Sequence, residues 1–349
     1  MSGAQASRAA TDRASLPPAA GALSALVLEL LEAEADAAAR LGDPAARAAG
    51  IVEAVASPLD DDDLQLALYL CYELHYRSFD GVDPSWEWNP ALLGVRAALE
   101  AAFFTALGQQ VDREDVEPGE VGERLFALEA ADQGPSLSRR LEIAPDLGQF
   151  REFVAHRSLY QLKEADPHSW AIPRLAGAPK AALLEVQGDE YGGGRAERMH
   201  STLFAKTMRA LDLDARENAY LELVPATTLA SVNLMSALGL HRSRRGAIVG
   251  HLAMFEMTSA LPNRRYGNAM RRLGFDDEAT DFYDEHVEAD AVHENIAAYD
   301  LAEGLAKSEP ELAADILFGA AAMLFLEDRF ARHLLDSWQD GRTSLRRPL

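Results

Sequence analysis

The run DFYDEHVEADAVH at residues 281–293 decides how this chain is interpreted, because it holds His286, Asp290 and His293 close together. At about 100° per residue, a helix would turn Asp290 about 40° from His286 and His293 about 20° to the other side. The three side chains would then share one face. Imidazole and carboxylate together are ligands of iron, zinc and manganese. For this run alone, an exposed polar face on an acidic helix explains the pattern equally well.

The composition is that of an acidic, helical protein. The chain has 349 residues, of which 48% are hydrophobic and 7% aromatic, and Ala and Leu are prominent while β-branched runs are almost absent. This composition favours an all-α fold with a large core. The formal net charge of −23 argues against nucleic acid or an anionic membrane surface as a partner.

Cysteine usage and hydropathy bear on the cellular compartment. The single cysteine, Cys71, cannot form an intramolecular disulfide or a thiolate zinc site. The N-terminus lacks the apolar segment of a signal peptide, and nowhere do 18 apolar residues follow one another without interruption. We therefore expect a cytoplasmic protein without a signal peptide or a membrane span.

Proline, glycine and polar segments divide the chain. Residues 1–18 are small and polar and end in two prolines, which predicts a disordered tail. Ala- and Leu-rich helices are expected over 19–120, and the polar segment around Pro118 and Gly119 suggests a boundary before the main helical domain at 121–340. The N-terminal part would be a helical extension that either packs on the core or serves in a homodimer.

One helical face within 146–165 has two interpretations. His156, Tyr160 and Glu164 recur every four residues, so they share a face. They could line a polar pocket. A partly exposed, hydrogen-bonded face is the favoured interpretation.

A second pattern of candidate ligands lies in LLEVQGDEYGGGRAERMHSTLFAK, residues 183–206. On an unbroken helix, Glu197 would lie about 20° from Glu190, and His200 about 80° away. The Gly192–Gly194 run makes an unbroken helix costly, at about 1 kcal/mol per glycine relative to alanine. The glycines therefore interrupt the helix or admit another backbone or a substrate. The run is not a phosphate loop, because it lacks Gly-Lys-Ser/Thr and no strand precedes it.

A third stretch, SRRGAIVGHLAMFEMTSAL at 243–261, predicts a strongly apolar helix that carries His251 and Glu256. These two residues are five apart, about 140° different in direction, so they do not easily serve one site. A carboxylate among apolar residues needs a partner, because burying it alone is costly. The partner could be a metal, or it could be Arg244 or Arg265.

The candidate ligands in the three stretches are four carboxylates and three imidazoles. Four carboxylates balance the formal charge of two divalent irons. Ferritin-like di-iron proteins use four carboxylates and two histidines and repeat Glu-x-x-His twice. In this chain the combined stretches hold that pattern once, as Glu197-x-x-His200. The candidate metal ligands are Glu190, Glu197, His200, Glu256, His286, Asp290 and His293.

This combination resembles the haem-oxygenase-like di-iron oxidases and oxygenases, also called iron-containing redox enzymes. The runs that carry the resemblance are DEYGGGRAERMHSTLF at 189–204, HLAMFE at 251–256 and HVEADAVH at 286–293, and CYELHYRSFDGVDPSWEWNP at 71–90 is similar as well. The resemblance implies an all-α, haem-oxygenase-like helical bundle of about seven core helices.

The resemblance also implies the placing of the ligands. It assigns Glu190, Glu197 and His200 to the first motif helix, Glu256 to the middle helix, and Asp290 and His293 to the last helix. Position 286 is often a carboxylate in relatives, and here it is His286. This departure leaves the ligand set of the second iron open.

The chemistry implied by the resemblance is oxidation by O2. Two iron ions, cycling between Fe(II) and Fe(III), would activate O2 as co-substrate and oxidise a small organic molecule by N-oxygenation, desaturation or C–C cleavage. No side chain beyond the metal ligands need be catalytic. Electrons would come from an external reductant or protein donor, because no flavin or nicotinamide motif occurs.

Three alternative functions remain open from the residues. A haem binder would need a single proximal histidine such as His156 or His75. A cofactor-free oxidase of the same fold would bind no metal. A non-catalytic helical protein that binds a partner would carry these histidines and carboxylates incidentally.

Overall fold

The chain is described by a computed structural model that covers residues 13–36 and 42–349, without the side chains of 288–292. Within this part of the chain there are helices and turns but no strand, so the prediction of an all-α fold is confirmed. Most of the predicted disordered tail, residues 1–12, lies outside the described residues. The described α-helices are α1 (Ala22–Leu31), α2 (Pro44–Val52), α3 (Asp62–Glu73), α4 (Pro90–Gly108), α5 (Val121–Ala131), α6 (Leu137–Ile143), α7 (Leu147–Gln161), α8 (Asp166–Ser169), α9 (Gly177–Glu190), α10 (His200–Ala210), α11 (Ala226–Leu240), α12 (Arg245–Arg272), α13 (Asp277–Asn295), α14 (Gly304–Ser308) and α15 (Ala313–Gln339).

The N-terminal helices pack on the rest of the chain. Leu26 of α1 and Leu68 of α3 belong to the same buried hydrophobic cluster as Leu234 of α11 and Ile316 of α15. By length and composition alone α4 could span a membrane, but its side chains Leu92, Leu99 and Phe103 are buried in this same cluster. The extension is therefore packed on the core, while the boundary near residue 120 stays a prediction.

Helix boundaries follow local sequence signals. Asp61, Asn89 and Asp146 each accept a hydrogen bond from a backbone N–H in the first turn of α3, α4 and α7, respectively. Helix α12 runs through Pro262, so the predicted helix at 243–261 and the segment after it are one element. After α13 the chain continues as a π-helical segment, Ile296–Glu303, a geometry that is frequent at functional sites.

The two long helices α12 and α15 form the centre of the fold. They approach so closely that a Cβ atom at Gly250 would overlap the carbonyl oxygen of Ile316, and a Cβ at Gly319 would overlap the carbonyl oxygen of Ala247. Both contacts are with backbone, which cannot rotate away as a side chain can. These two glycines therefore set the distance between the helices.

We expect Gly250→Ala to lower the free energy of unfolding by at least about 1–3 kcal/mol, because the added methyl group must push α15 outwards. The matched control is Gly50→Ala in α2, where a Cβ meets nothing within 4 Å. That change should raise stability by about 0.5–1 kcal/mol. Chemical denaturation followed by circular dichroism measures both values, and equal effects of the two substitutions would contradict this account of the crossing.

Candidate metal centre

Four buried side chains from separate parts of the bundle converge on one point. Glu164 follows α7, Glu190 is the last residue of α9, His200 is the first residue of α10, and His286 lies on α13. Each offers one ligand atom, and these atoms all lie within 4.8 Å of one another. The four side chains are called the Glu/His cluster below. Two carboxylates and two imidazoles are a donor set that suits iron.

The glycine run brings Glu190 and His200 together. Gly192, Gly193 and Gly194 have φ angles of 64°, 60° and 79°, in the left-handed region that glycine adopts without strain. The helix is therefore interrupted there, and Gly192 also admits another backbone, because a Cβ at that position would lie 2.6 Å from the carbonyl carbon of Arg198. After the turn, His200 Nδ1 lies 3.0 Å from Glu190 Oε2.

Glu164 lies near both histidines of the cluster. Its Oε2 is 3.7 Å from His286 Nε2 and 4.0 Å from His200 Nδ1. Burial raises the pKa of Glu164, and Glu190 adds to that rise while the two histidines oppose it. A cation held between these groups would favour the ionised form of both carboxylates.

His286 is oriented for metal binding by its own helix. Its Nδ1 lies 2.7 Å from the carbonyl oxygen of Phe282, and because a carbonyl only accepts, Nδ1 carries the proton. In the neutral ring Nε2 is then the unprotonated nitrogen, and it lies 3.7 Å from Glu164 Oε2. A hydrogen bond of this kind fixes the tautomer and the ring plane of a metal-binding histidine.

A second buried pair, Glu256 and His293, adjoins the cluster. Glu256 Oε2 lies 3.3 Å from His293 Nδ1, and His293 Nε2 lies 2.9 Å from Asp189 Oδ2. Burial lowers the pKa of His293, but the hydrogen bonds to Glu256 and Asp189 outweigh it and raise the pKa to about 9. Burial and the nearby Glu190 raise the pKa of Glu256. The partner of Glu256 is therefore a histidine and not one of the arginines considered from the sequence.

Of the seven candidate ligands, the structure brings Glu190, His200 and His286 into the cluster. Glu256 and His293 form the adjoining pair. Glu197 lies in the 3₁₀ turn Ala196–Arg198 and is exposed. The remaining candidate is Asp290, whose side chain lies outside the described residues, although its backbone is part of α13.

Glu164 is the cluster member that sequence reasoning did not select. The favoured interpretation of the face with His156 and Tyr160 was partial exposure, whereas all three side chains are buried, at 1–5% exposure. The four-residue spacing was a usable signal for a shared face. Which face the neighbouring helices cover is decided by tertiary packing.

A chamber of about 260 Å³ adjoins the cluster. Buried cluster residues and exposed residues such as Asp132 and Ser136 both line it, so it opens to solvent. Its walls are mainly apolar, with Phe153, Phe255 and Tyr266 among them. The space suits a small organic molecule placed beside a metal site.

The chamber wall also holds a partly buried ion pair. Arg157 donates to both carboxylate oxygens of Glu327, at 3.0 and 2.6 Å, and its guanidinium lies 4.4 Å from the ring centre of Phe330. Of the residues described as lining the chamber, Arg157 is the only lysine or arginine. Its charge is already matched, so the wall offers no uncommitted cation to an anionic ligand.

The two histidines considered as haem ligands are engaged elsewhere. His75 contacts Glu87 and Arg96 through its two ring nitrogens, at 3.1 and 2.7 Å. His156 contacts Thr228 and Ser344, at 2.7 and 3.1 Å. Neither ring therefore presents a nitrogen towards a haem site.

Comparison with known proteins agrees with this donor set. A nitrosourea synthase from Streptomyces achromogenes subsp. streptozoticus is 27% identical over 136 residues, which are 39% of this chain and 29% of that enzyme. The chain thus matches less than a third of the length of this curated relative. The sequence model of a family described as "Iron-containing redox enzyme" matches residues 151–328, about half of the chain, and this range includes the whole cluster. The protein belongs to the iron-containing redox enzyme family.

Proposed function

We propose that this protein is a non-haem di-iron oxidoreductase that uses O2 to oxidise a small organic substrate. The observation that carries the proposal is the buried Glu/His cluster beside an open chamber. Two carboxylates held together away from water are costly unless a cation shares them. Iron is the cation indicated both by the donor set and by the family.

The proposal of a second iron depends on the residues of α13. Asp290 is one helical turn after His286 on the backbone, and His293 lies a further turn along the same helix. With Glu164, Glu190 and Glu256, Asp290 would bring the carboxylates to four, the number that balances two divalent ions. Because the pKa of His293 is raised to about 9, ligation by His293 would release a proton at neutral pH.

Bound iron would supply O2 activation and electron transfer. The chain supplies the surroundings. The Phe282 carbonyl holds the proton of His286 on Nδ1 and keeps Nε2 towards the cluster. Phe153, Phe255 and Tyr266 give the chamber a mainly apolar wall against which a substrate is positioned next to the metal ligands. Electrons come from an external donor.

Among the reaction classes considered, N-oxygenation has the most support. The curated relative is named for the synthesis of a nitrosourea, a product with oxygen bonded to nitrogen. Its match to this chain is partial, so the proposal extends to the class of reaction and not to a particular substrate.

We expect anaerobic titration with Fe(II) to give about two bound ions per chain, the stoichiometry of di-iron carboxylate proteins. Mixing the loaded protein with O2 should then produce a transient visible absorbance in stopped-flow measurements. A folded protein that neither binds Fe(II) nor responds to O2 would overturn the proposal. A parallel titration with haemin is the control for the haem-binding alternative.

The assignment of the ligands can be tested by substituting two glutamates, the buried Glu164 and the exposed Glu197. Glu164→Gln should weaken binding of at least one Fe(II) by more than about 100-fold, because even residues behind the ligands commonly account for 10–100-fold in metal affinity. Glu197→Gln is the matched control on an exposed residue and should bind Fe(II) like the wild type. The reverse order of effects would show that Glu197 moves into the site and that Glu164 is not a ligand.

A further inference from the structure

Of the described buried histidines outside the candidate ligand set, three line the chamber or a smaller neighbouring cavity. His156, His168 and His251 have exposed fractions of 1%, 1% and 3%. Burial is the main cause that lowers the pKa of each, and it brings that of His251 to about 3. At neutral pH each ring is therefore uncharged and has one donor and one acceptor nitrogen. Neutral imidazoles of this kind can accept a proton on one nitrogen and release one from the other.

These histidines belong to an array of hydrogen-bonding side chains, and the inner part of this array begins at the chamber. His168 lines the same chamber as Glu164 and Glu190. Its Nε2 lies 3.1 Å from His251 Nδ1. His251 is therefore linked to the chamber although it lies behind the wall.

The outer part runs from His156 to the surface. His156 Nδ1 lies 2.7 Å from Thr228 Oγ1, and His156 Nε2 lies 3.1 Å from Ser344 Oγ. The Ser344 hydroxyl donates to Glu152 Oε2 at 2.7 Å. Glu152 is partly exposed, and hydrogen bonds, including that from Ser344, outweigh burial to lower its pKa. The array thus ends at a carboxylate in contact with solvent.

A small cavity joins the two parts. Its volume is about 20 Å³, and His251, Thr228 and His156 all line it. A cavity needs only about 10–15 Å³ to hold one water molecule. A water there can accept from His251 and donate to Thr228, which closes the gap.

The hydrogen bonds of the outer part have a forced direction. Ser344 has one hydroxyl proton and gives it to Glu152, so His156 Nε2 must be the donor to Ser344. Neutral His156 then accepts at Nδ1 from Thr228. The simplest continuation has His251 and His168 protonated on Nε2 as well, and all donors then point from the chamber to the surface.

We propose that this array is a proton relay between the chamber and the protein surface, made of His168, His251, Thr228, His156, Ser344 and Glu152. The inference rests on the proposed function, which supplies the demand for protons.

Placing one atom of O2 on a substrate and releasing the other as water takes two electrons from the external donor and two protons. Each proton that enters one end releases another at the other end. With its donors pointing outwards the array is set to pass a proton from the chamber to the surface, so every hydrogen bond in it must reverse before each proton is delivered inwards.

The first test uses nuclear magnetic resonance on the full-length chain labelled with ¹⁵N-histidine, without metal. If all hydrogen bonds of the array point from the chamber to the surface, then His156, His168 and His251 must each carry their proton on Nε2. Nδ1–H at any of the three histidines would overturn the proposal.

The second test measures exchange of the imidazole proton of His251 with solvent in the same sample. Thr228→Val should slow this exchange by at least about tenfold, a barrier increase of about 1.4 kcal/mol. Thr228→Ser keeps a hydroxyl and should restore the rate. The matched control is Thr227→Val, because the Thr227 hydroxyl is buried and has no hydrogen-bond partner among the described residues. Equal exchange in the wild type and in Thr228→Val would overturn the relay.

The third test uses the iron-loaded protein mixed with O2 in the presence of a pH-indicator dye. Proton uptake should slow in Thr228→Val and not in Thr227→Val, at unchanged Fe(II) affinity. Uptake at the wild-type rate in Thr228→Val would overturn the relay. If the wild type does not react with O2, the proposed function fails, while the two measurements without metal still decide on the relay.

Discussion

The structure depends on the burial of Glu164 and Glu190 beside His200 and His286. Taking two carboxylates out of water in one place is unfavourable, and it raises the pKa of Glu164. The surrounding bundle must therefore hold these groups against their own repulsion when no cation shares them. The close crossing of α12 and α15 at Gly250 and Gly319 gives the bundle the rigid centre that such a site requires.

The cluster members differ in how firmly the backbone holds them. Glu190 ends α9, His200 begins α10, and Glu164 lies in the turn after α7, so each is next to a break in a helix. His286 is instead in the middle of α13 and is tied to the Phe282 carbonyl. The arrangement combines one fixed imidazole with three side chains that can adjust by small rotations at helix ends, which would suit the proposed centre, whose metal changes oxidation state.

Much of the fold followed from the sequence, because helical composition and capping residues are local signals. Parts of the site did not follow, and Glu197 shows why. On an unbroken helix its direction nearly coincides with that of Glu190, but the left-handed glycines reset the helical phase. His200 then meets Glu190, and Glu197 turns to solvent. Glu164 was missed for another reason, since periodicity shows that residues share a face and not which helices cover that face.

The chamber and the small cavity are separated by a thin wall. Tyr160, Phe255 and Met323 line both spaces. Bulk water admitted beside the cluster would weaken the electrostatic interactions there and compete with a substrate. A path made of imidazoles needs only one ordered water, in a cavity too small for a continuous channel. Protons can therefore pass from His168, which lines the chamber, to His251 behind its wall, so the same helices separate the route of the organic molecule from the route of its protons.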